Sequence, residues 1–307
     1  MERALSFSDV QRAVLDAYEQ FKSLKQGTVD PRVAAESKAG TFGISLMLTD
    51  GRTAEKGDTA VKAPLGTVMK VPLSVVLLTQ KGADGLAKKA CCCHCKKEGK
   101  KSDLPFGLHA LRAVSAVEPQ GDPDGKFGVV ADTIDALADT DHGFSDSIYR
   151  RLAEDAKKVG MAKYIQEIGY ELSDDKAQAM DVCERLLAVQ LSTDELATLG
   201  ATIAADGRNP KTGEYVFDGA IAAPVVALMS TRGKHFIKPW MVATGVPAKK
   251  SFTGMMLAVM PGFGAIAAYS PEVDENGVPV KAAKAIAYIA QKLGLNVFAS
   301  SRVRVDK

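Results

Sequence analysis

Long apolar runs, aromatic rings and a surplus of either charge are all scarce in this chain. No apolar stretch reaches the ~18 residues that cross a bilayer as a helix, so no integral membrane segment of that kind is expected. Aromatics make up 6% of the residues and there is one Trp, which disfavours a base-stacking surface, and no nucleic-acid partner is expected. The formal net charge is +2, so no global field draws polyanions or membrane surfaces. The start, Met1-Glu2-Arg3-Ala4-Leu5-Ser6, lacks the apolar core of a secretion signal, and an intracellular, soluble location of unspecified compartment is expected. Phosphate loops of the GxxxxGK[ST] or GxGxxG type are missing, and no cofactor is expected.

Cysteine is sparse and unevenly placed. Cys91, Cys92, Cys93 and Cys95 crowd one segment around His94, and Cys183 stands alone. Neighbouring cysteines rarely meet disulfide geometry, so a disulfide scaffold is not indicated. Thiolates and imidazole suit Zn or Cu(I). Ligands packed into one short run, however, cannot easily wrap a tetrahedral ion, and no metal is expected. The flanking Lys88, Lys89, Lys96, Lys97, Lys100 and Lys101 suit a basic loop facing solvent or an acidic partner, or a palmitoylated segment. His142 and His235 have no Ser or Asp partner at a readable spacing.

What is present is a soluble globular composition, 46% hydrophobic and 25% charged, over 307 residues. That length suits one large or two intertwined domains. Helical periods run over 6–24, 108–117, 129–137, 145–159, 162–168, 177–191, 193–205 and 280–293. Strand patterns cover 42–48, a return after Asp50-Gly51, 254–259 and 264–269. Residues 102–128 are rich in Pro, Gly and Asp and read as loop apart from the helix near 108–117. Strands at both ends and helices between them imply one sheet built from both ends of the chain. The expected division is a sheet-containing part, 1–75 and 225–307, and a helical part, 76–224.

One corner carries chemistry. In Thr67-Val68-Met69-Lys70 a hydroxyl precedes an amine by three residues. A helix opening there puts both on one face, the arrangement of an S-x-x-K nucleophile and base. An N-cap Thr beside a surface Lys is the plainer alternative.

Leu199 to Glu214 (LGATIAADGRNPKTGE) resembles the GATLANGGxNPxTGE motif of the bacterial-type glutaminase family. Gly245 to Lys249 is similar to GLPAK, Tyr269 to Gly277 to SPxLDxxGNS, and Ser102 to Phe106 to SGxPFN. Thr67 and Lys70 fall at the family's Ser-x-x-Lys. Five motifs in order imply an α/β fold of the penicillin-binding and serine β-lactamase-like type, an antiparallel sheet flanked by helices plus a helical subdomain. The resemblance also implies hydrolysis of the glutamine side-chain amide through an acyl-enzyme, with Lys and Tyr in proton transfer, and a homo-oligomer.

Several positions depart from the family. Ser becomes Thr67, whose branched Cβ is stiff. Pro123 to Gly128 lacks the family's Asn, and the acid and amide of SExxxxxRN align near Arg151 and Lys158. The two catalytic Tyr positions fall at about Cys183 and Lys234. The KSGV segment becomes Lys249-Lys250-Ser251-Phe252, the expected substrate-side residues. On these grounds the sequence favours a degenerate member acting as a non-catalytic structural or interaction component, with protein partners in a larger assembly. The alternative is an amidohydrolase using Thr67 as nucleophile and Lys70 as base on L-glutamine or a more anionic amide.

Overall fold

The computed structural model describes residues 2–89, 106–231, 236–300 and 302–306. The cysteine cluster Cys91–Cys95, most of the Ser102–Phe106 motif, Lys234 and His235 lie outside the described residues. A five-stranded antiparallel sheet forms the frame, in the order Thr53–Gly57, Gly43–Leu48, Gly264–Tyr269, Met255–Met260, Ala248–Lys250. Ile266 stands opposite Leu46 on one side and Ala258 on the other. Both faces are covered, which explains why Gly43–Leu48, Met255–Met260 and Gly264–Tyr269 are buried throughout rather than alternately.

Successive side chains still separate to opposite faces. Ile44, Leu46, Met256, Ala258, Ile266 and Ala268 join the layer formed with helices Phe7–Phe21 and Val280–Leu293. Met47, Leu257, Val259, Ala265 and Ala267 join the larger core, which includes helix Thr193–Ala204 and the helices of the central region. Chain entry into helices Phe7–Phe21 and Thr193–Ala204 is defined by capping boxes, Ser6 with Asp9 and Ser192 with Glu195. Short parallel strands Glu2–Leu5 and Arg302–Val305 bring the two ends of the described chain together.

Helix Thr193–Ala204 touches the sheet closely at Gly200. A Cβ there would lie 2.5 Å from Ala265 Cβ and 2.7 Å from Leu257 Cδ1. Gly200→Ala is expected to cost ~1–3 kcal/mol through overpacking, despite the better helix propensity of Ala. Urea unfolding would measure it, and an unchanged midpoint would contradict so tight a helix–sheet contact.

The region read as loop over 118–128 differs from expectation. Helix Pro123–Ala138 begins inside it, with Pro at the first turn and Asp122 accepting from Gly125 N–H at 2.9 Å. Pro is suited to that position because its missing N–H would be unpaired there anyway. Helices Leu108–Ser115, Asp146–Lys158, Met161–Glu167 and Lys176–Ala188 pack with it around Leu111, Ile134, Leu152, Ile165 and Leu186. Lys126, 1% exposed, donates from this core to Ser115 O at 3.3 Å and Asp174 Oδ2 at 2.5 Å.

Candidate functional site

The Thr67–Lys70 corner sits where the sheet meets the helical region. Ala63–Pro64 pairs with Val189–Leu191, and Leu65 N–H donates to Val189 O at 2.7 Å. The chain then turns through a 3-10 helix, Gly66–Met69, before helix Lys70–Lys89 starts. This sharpens the expectation of a helix from Thr67, because residues three apart eclipse one another in a 3-10 turn. The Lys70 N–H bonds back to Thr67 O. Both residues are half-buried.

The strand end Ala248–Lys250 and the residues after it lie over this turn. Thr67 Oγ1 donates to Lys250 O at 2.7 Å, and Thr67 N–H donates to Ser251 Oγ at 3.2 Å. Ser251 Oγ also accepts from Thr253 N–H at 3.2 Å, which fixes its position inside the turn. So close an approach requires glycine at position 66. Its φ is +49°, and a Cβ would stand 2.2 Å from Ser251 Oγ and 2.7 Å from Thr253 Cγ2.

The four expected substrate-side residues divide. Lys250, Ser251 and Phe252 gather at the corner, whereas the Lys249 ammonium donates to Leu228 O at 3.1 Å and Met229 O at 3.4 Å near the end of helix Ala222–Thr231. The Lys250 ammonium donates to the carbonyls of Asn276 and Gly277. Burial, together with the charges of Lys70 and Arg32, lowers its pKa against the opposite pull of Asp274. Phe252 is 8% exposed and lies under the Arg32 guanidinium, 3.8 Å from its ring centre. Asp30 holds that guanidinium through Nε at 2.8 Å and Nη2 at 2.6 Å. Arg32 and Asp30 had no signal in the sequence reading, since their contact with Phe252 spans most of the chain.

Helix Lys176–Ala188 packs against the 66–69 turn and brings Cys183 near Lys70. The thiol is fully buried, and burial pushes it far above its ordinary value while the Lys70 charge acts in the other direction. Arg151 and Lys158 are corrected by the structure. Arg151 is about half exposed and 3.8 Å from Asp155; Lys158 is 67% exposed and 3.9 Å from Glu154. Their helix instead buries Ile148, Leu152 and Ala156. Both are exposed cations paired with acids of their own helix, which weakens that part of the case for an anionic substrate.

Among the described residues, two cavities lie elsewhere that are not lined by Thr67 or Lys70. One of them uses His142, whose Nδ1 is 2.9 Å from both carboxylate oxygens of Asp135. The sequence reading found no Asp partner for His142. Asp135 lies seven residues earlier, inside a helix, and meets it only because the chain folds back after Ala138.

Comparison with known proteins accounts for this architecture. The glutaminase family model matches residues 107–298. The glutaminase of Parabacteroides distasonis is 27% identical over 326 residues, covering 99% of both chains. The glutaminase of Bacteroides thetaiotaomicron is 28% identical over 327 residues, with the same coverage. The solved structure of the probable glutaminase ybaS superposes with a TM-score of 0.84 at 27% identity, covering 96% of this chain and 100% of that one. A probable glutaminase from Bacillus subtilis, complexed with 6-diazo-5-oxo-L-norleucine, has the same fold at a TM-score of 0.81 and 20% identity, covering 97% and 99%. The fold is thus the β-lactamase-like α/β arrangement that the motifs implied. A family model spanning more than half of the chain, relatives matched end to end and a shared fold lead to one conclusion: this chain belongs to the glutaminase family.

Proposed function

We propose that the protein is an amidohydrolase acting on the side-chain amide of L-glutamine, with Thr67 as nucleophile and Lys70 as base. The observation that carries this reading is the 3-10 turn that sets Thr67 three residues before Lys70, with the Lys70 N–H bonded back to Thr67 O, in a chain aligned end to end with glutaminases. It reverses the order of the two readings set out from the sequence, because such full-length similarity supports hydrolysis better than a scaffold.

In the proposed reaction Thr67 Oγ attacks the amide carbon and its proton passes to the neutral Lys70 amine. The C–N bond then breaks, ammonia leaves with a proton returned to it, and an ester remains on Thr67. Water cleaves the ester to give glutamate and restore the hydroxyl. The Thr67 N–H, once released from Ser251 Oγ, is suited to the oxyanion. Release of ammonia from L-glutamine by the purified chain is the first test. An adduct of 6-diazo-5-oxo-L-norleucine located on Thr67 by mass spectrometry is the second. Neither ammonia nor adduct at saturating concentrations would defeat the proposal.

The scaffold reading is favoured by one specific observation. The hydroxyl proton of Thr67 is given to Lys250 O, and its N–H to Ser251 Oγ. Both must be released for the chemistry above. Ser251→Ala removes the competitor for the N–H while adding no bulk beside Gly66. Under the hydrolase reading it is expected to raise kcat by about tenfold, a gain of ~1.4 kcal/mol in the transition state. A kcat that falls would instead make the Ser251 contact part of the working geometry.

A further inference from the structure

The cavity around His142 has a chemistry of its own. It is an open depression of about 450 Å³, lined by Phe127, His142, Phe144, Asp146, Tyr149, Asp181 and Arg185, a volume in the range of small-molecule sites. Aromatic rings form its walls. His142 and Phe144 meet Phe127 edge-on, with centroids 6.2 Å and 6.3 Å away, and Tyr149 lies 6.1 Å from Phe144. Phe144 is 42% exposed, so an apolar ring stands at the mouth without cover.

The hydrogen-bonding groups around these rings leave mostly acceptors. Tyr149 gives its proton to Asp181 Oδ1 at 2.6 Å, which leaves the phenolic oxygen able to accept. That bond, with burial and the Asp181 charge, raises the Tyr149 pKa to about 12, so the hydroxyl stays protonated. Asp181 Oδ2 forms an ion pair with Arg185 at 3.7 Å, too long for a hydrogen bond, so this oxygen can still accept one. Both carboxylate oxygens of Asp135 stand 2.9 Å from His142 Nδ1 and fix the orientation of the ring. Asp146 adds a second carboxylate, bonded to the exposed Arg150 at 2.7 Å. Arg185, the lining cation, bonds Asp124 at 2.7 Å and rests 4.2 Å above the Phe127 ring centre. An anion would meet Asp146 and Asp181, with Arg185 already paired to Asp124 and Asp181; a cation with N–H groups meets acceptors.

We propose that this cavity is a second binding site, separate from the Thr67 corner, for a small organic ammonium carrying an apolar or aromatic body. The ammonium sits against Asp181 and the Tyr149 oxygen, and the body lies against Phe144 and Phe127. The Asp181 charge sets the preference for the ammonium, and burial of the body against Phe144 adds affinity. Separation from the corner follows from helix Lys176–Ala188, which turns Asp181 and Arg185 to the cavity and places Cys183 toward Lys70.

Fluorine NMR of three matched probes with the full chain tests this. They are 4-fluorobenzylamine, 4-fluorobenzyl alcohol and 4-fluorophenylacetate at neutral pH. The amine is expected to bind with a dissociation constant of ~1 mM, the alcohol more weakly and the acetate not at all. Asp181→Asn and Phe144→Ala are each expected to weaken the amine about three- to fivefold, and L-glutamine is not expected to displace it. Both variants change partly exposed side chains, and matching melting curves confirm that they fold. Equal binding of all three probes, no saturation of the amine by about 20 mM, or affinity unchanged in both variants would each overturn the proposal. Displacement by glutamine would place the amine at the Thr67 corner and overturn it too.

Discussion

Thr67→Ala is expected to lower ammonia release from L-glutamine by on the order of 10³-fold or more, since removing a covalent nucleophile eliminates the acyl-enzyme route. The loss should fall on kcat, because the Ala variant keeps the backbone that shapes the turn. Its N–H still bonds Ser251 Oγ, and only the bond to Lys250 O is lost. Thr67→Ser separates nucleophilic chemistry from rotamer control. The β-methyl stiffens χ1, and in the present geometry the hydroxyl rests on Lys250 O. A serine at 67 can leave that rotamer more easily, so kcat is expected to rise above that of the natural chain. Activity retained in Thr67→Ala would show that hydrolysis runs elsewhere. A chain inert as it stands but active as Thr67→Ser would favour the scaffold reading, with the methyl group as the lesion.

The largest expected effect on stability lies at Lys126. Lys126→Met should cost about 3–5 kcal/mol, because it leaves the Asp174 carboxylate without its buried cation. The side chains of the pair are 1% and 9% exposed. Together they tie three pieces: Ser115 O at the end of one helix, helix Pro123–Ala138, and the 171–175 segment, where Asp174 also accepts from Asp175 N–H. Lys126→Met with Asp174→Leu should recover most of the loss, since a well-packed apolar pair can replace a buried ion pair.

The pH dependence follows from Asp174. Burial alone would raise its pKa, but the Lys126 bond, the N–H groups of Asp175 and Gly121 and the Lys126 charge hold it below its ordinary value. Its contribution is therefore complete above about pH 4 and is lost as the pH falls through the depressed folded-state value. The gap between the natural chain and Lys126→Met should narrow on acidification. Urea midpoints at pH 7 and about pH 2 measure it, and a gap within ~1 kcal/mol at pH 7 would remove the ion pair from the account of stability.

How far the sequence could be read depended on whether a contact was local. Thr67 and Lys70 share one turn, so their spacing alone suggested the corner, and the ordered motifs around them identified the fold. Ser251 lies 184 residues from Thr67, and no period or spacing announces that its hydroxyl enters the turn. Arg151 and Lys158 show how sensitive a helical alignment is to register. Each residue turns the helix by about 100°, so a shift of one position separates the exposed Arg151 from the buried Leu152. Pro123, Gly125 and Gly128 read as breakers in a linear view, yet Asp122 and Pro123 start a helix. The Asp135–His142 contact was hidden for a related reason, since a helix end and a reversal separate the two residues.

The strand order of the sheet also constrains how the chain is made. Gly43–Leu48 has Thr53–Gly57 on one side, but its other neighbour is Gly264–Tyr269. At ribosomal rates the second neighbour follows on the order of 10–40 s later. Throughout that interval an apolar strand presents an open edge on a nascent chain, the template on which strands of other molecules pair. Yield at high expression should therefore depend on chaperone supply and on translation speed through the helical middle, even for variants whose finished fold is as stable as the natural one.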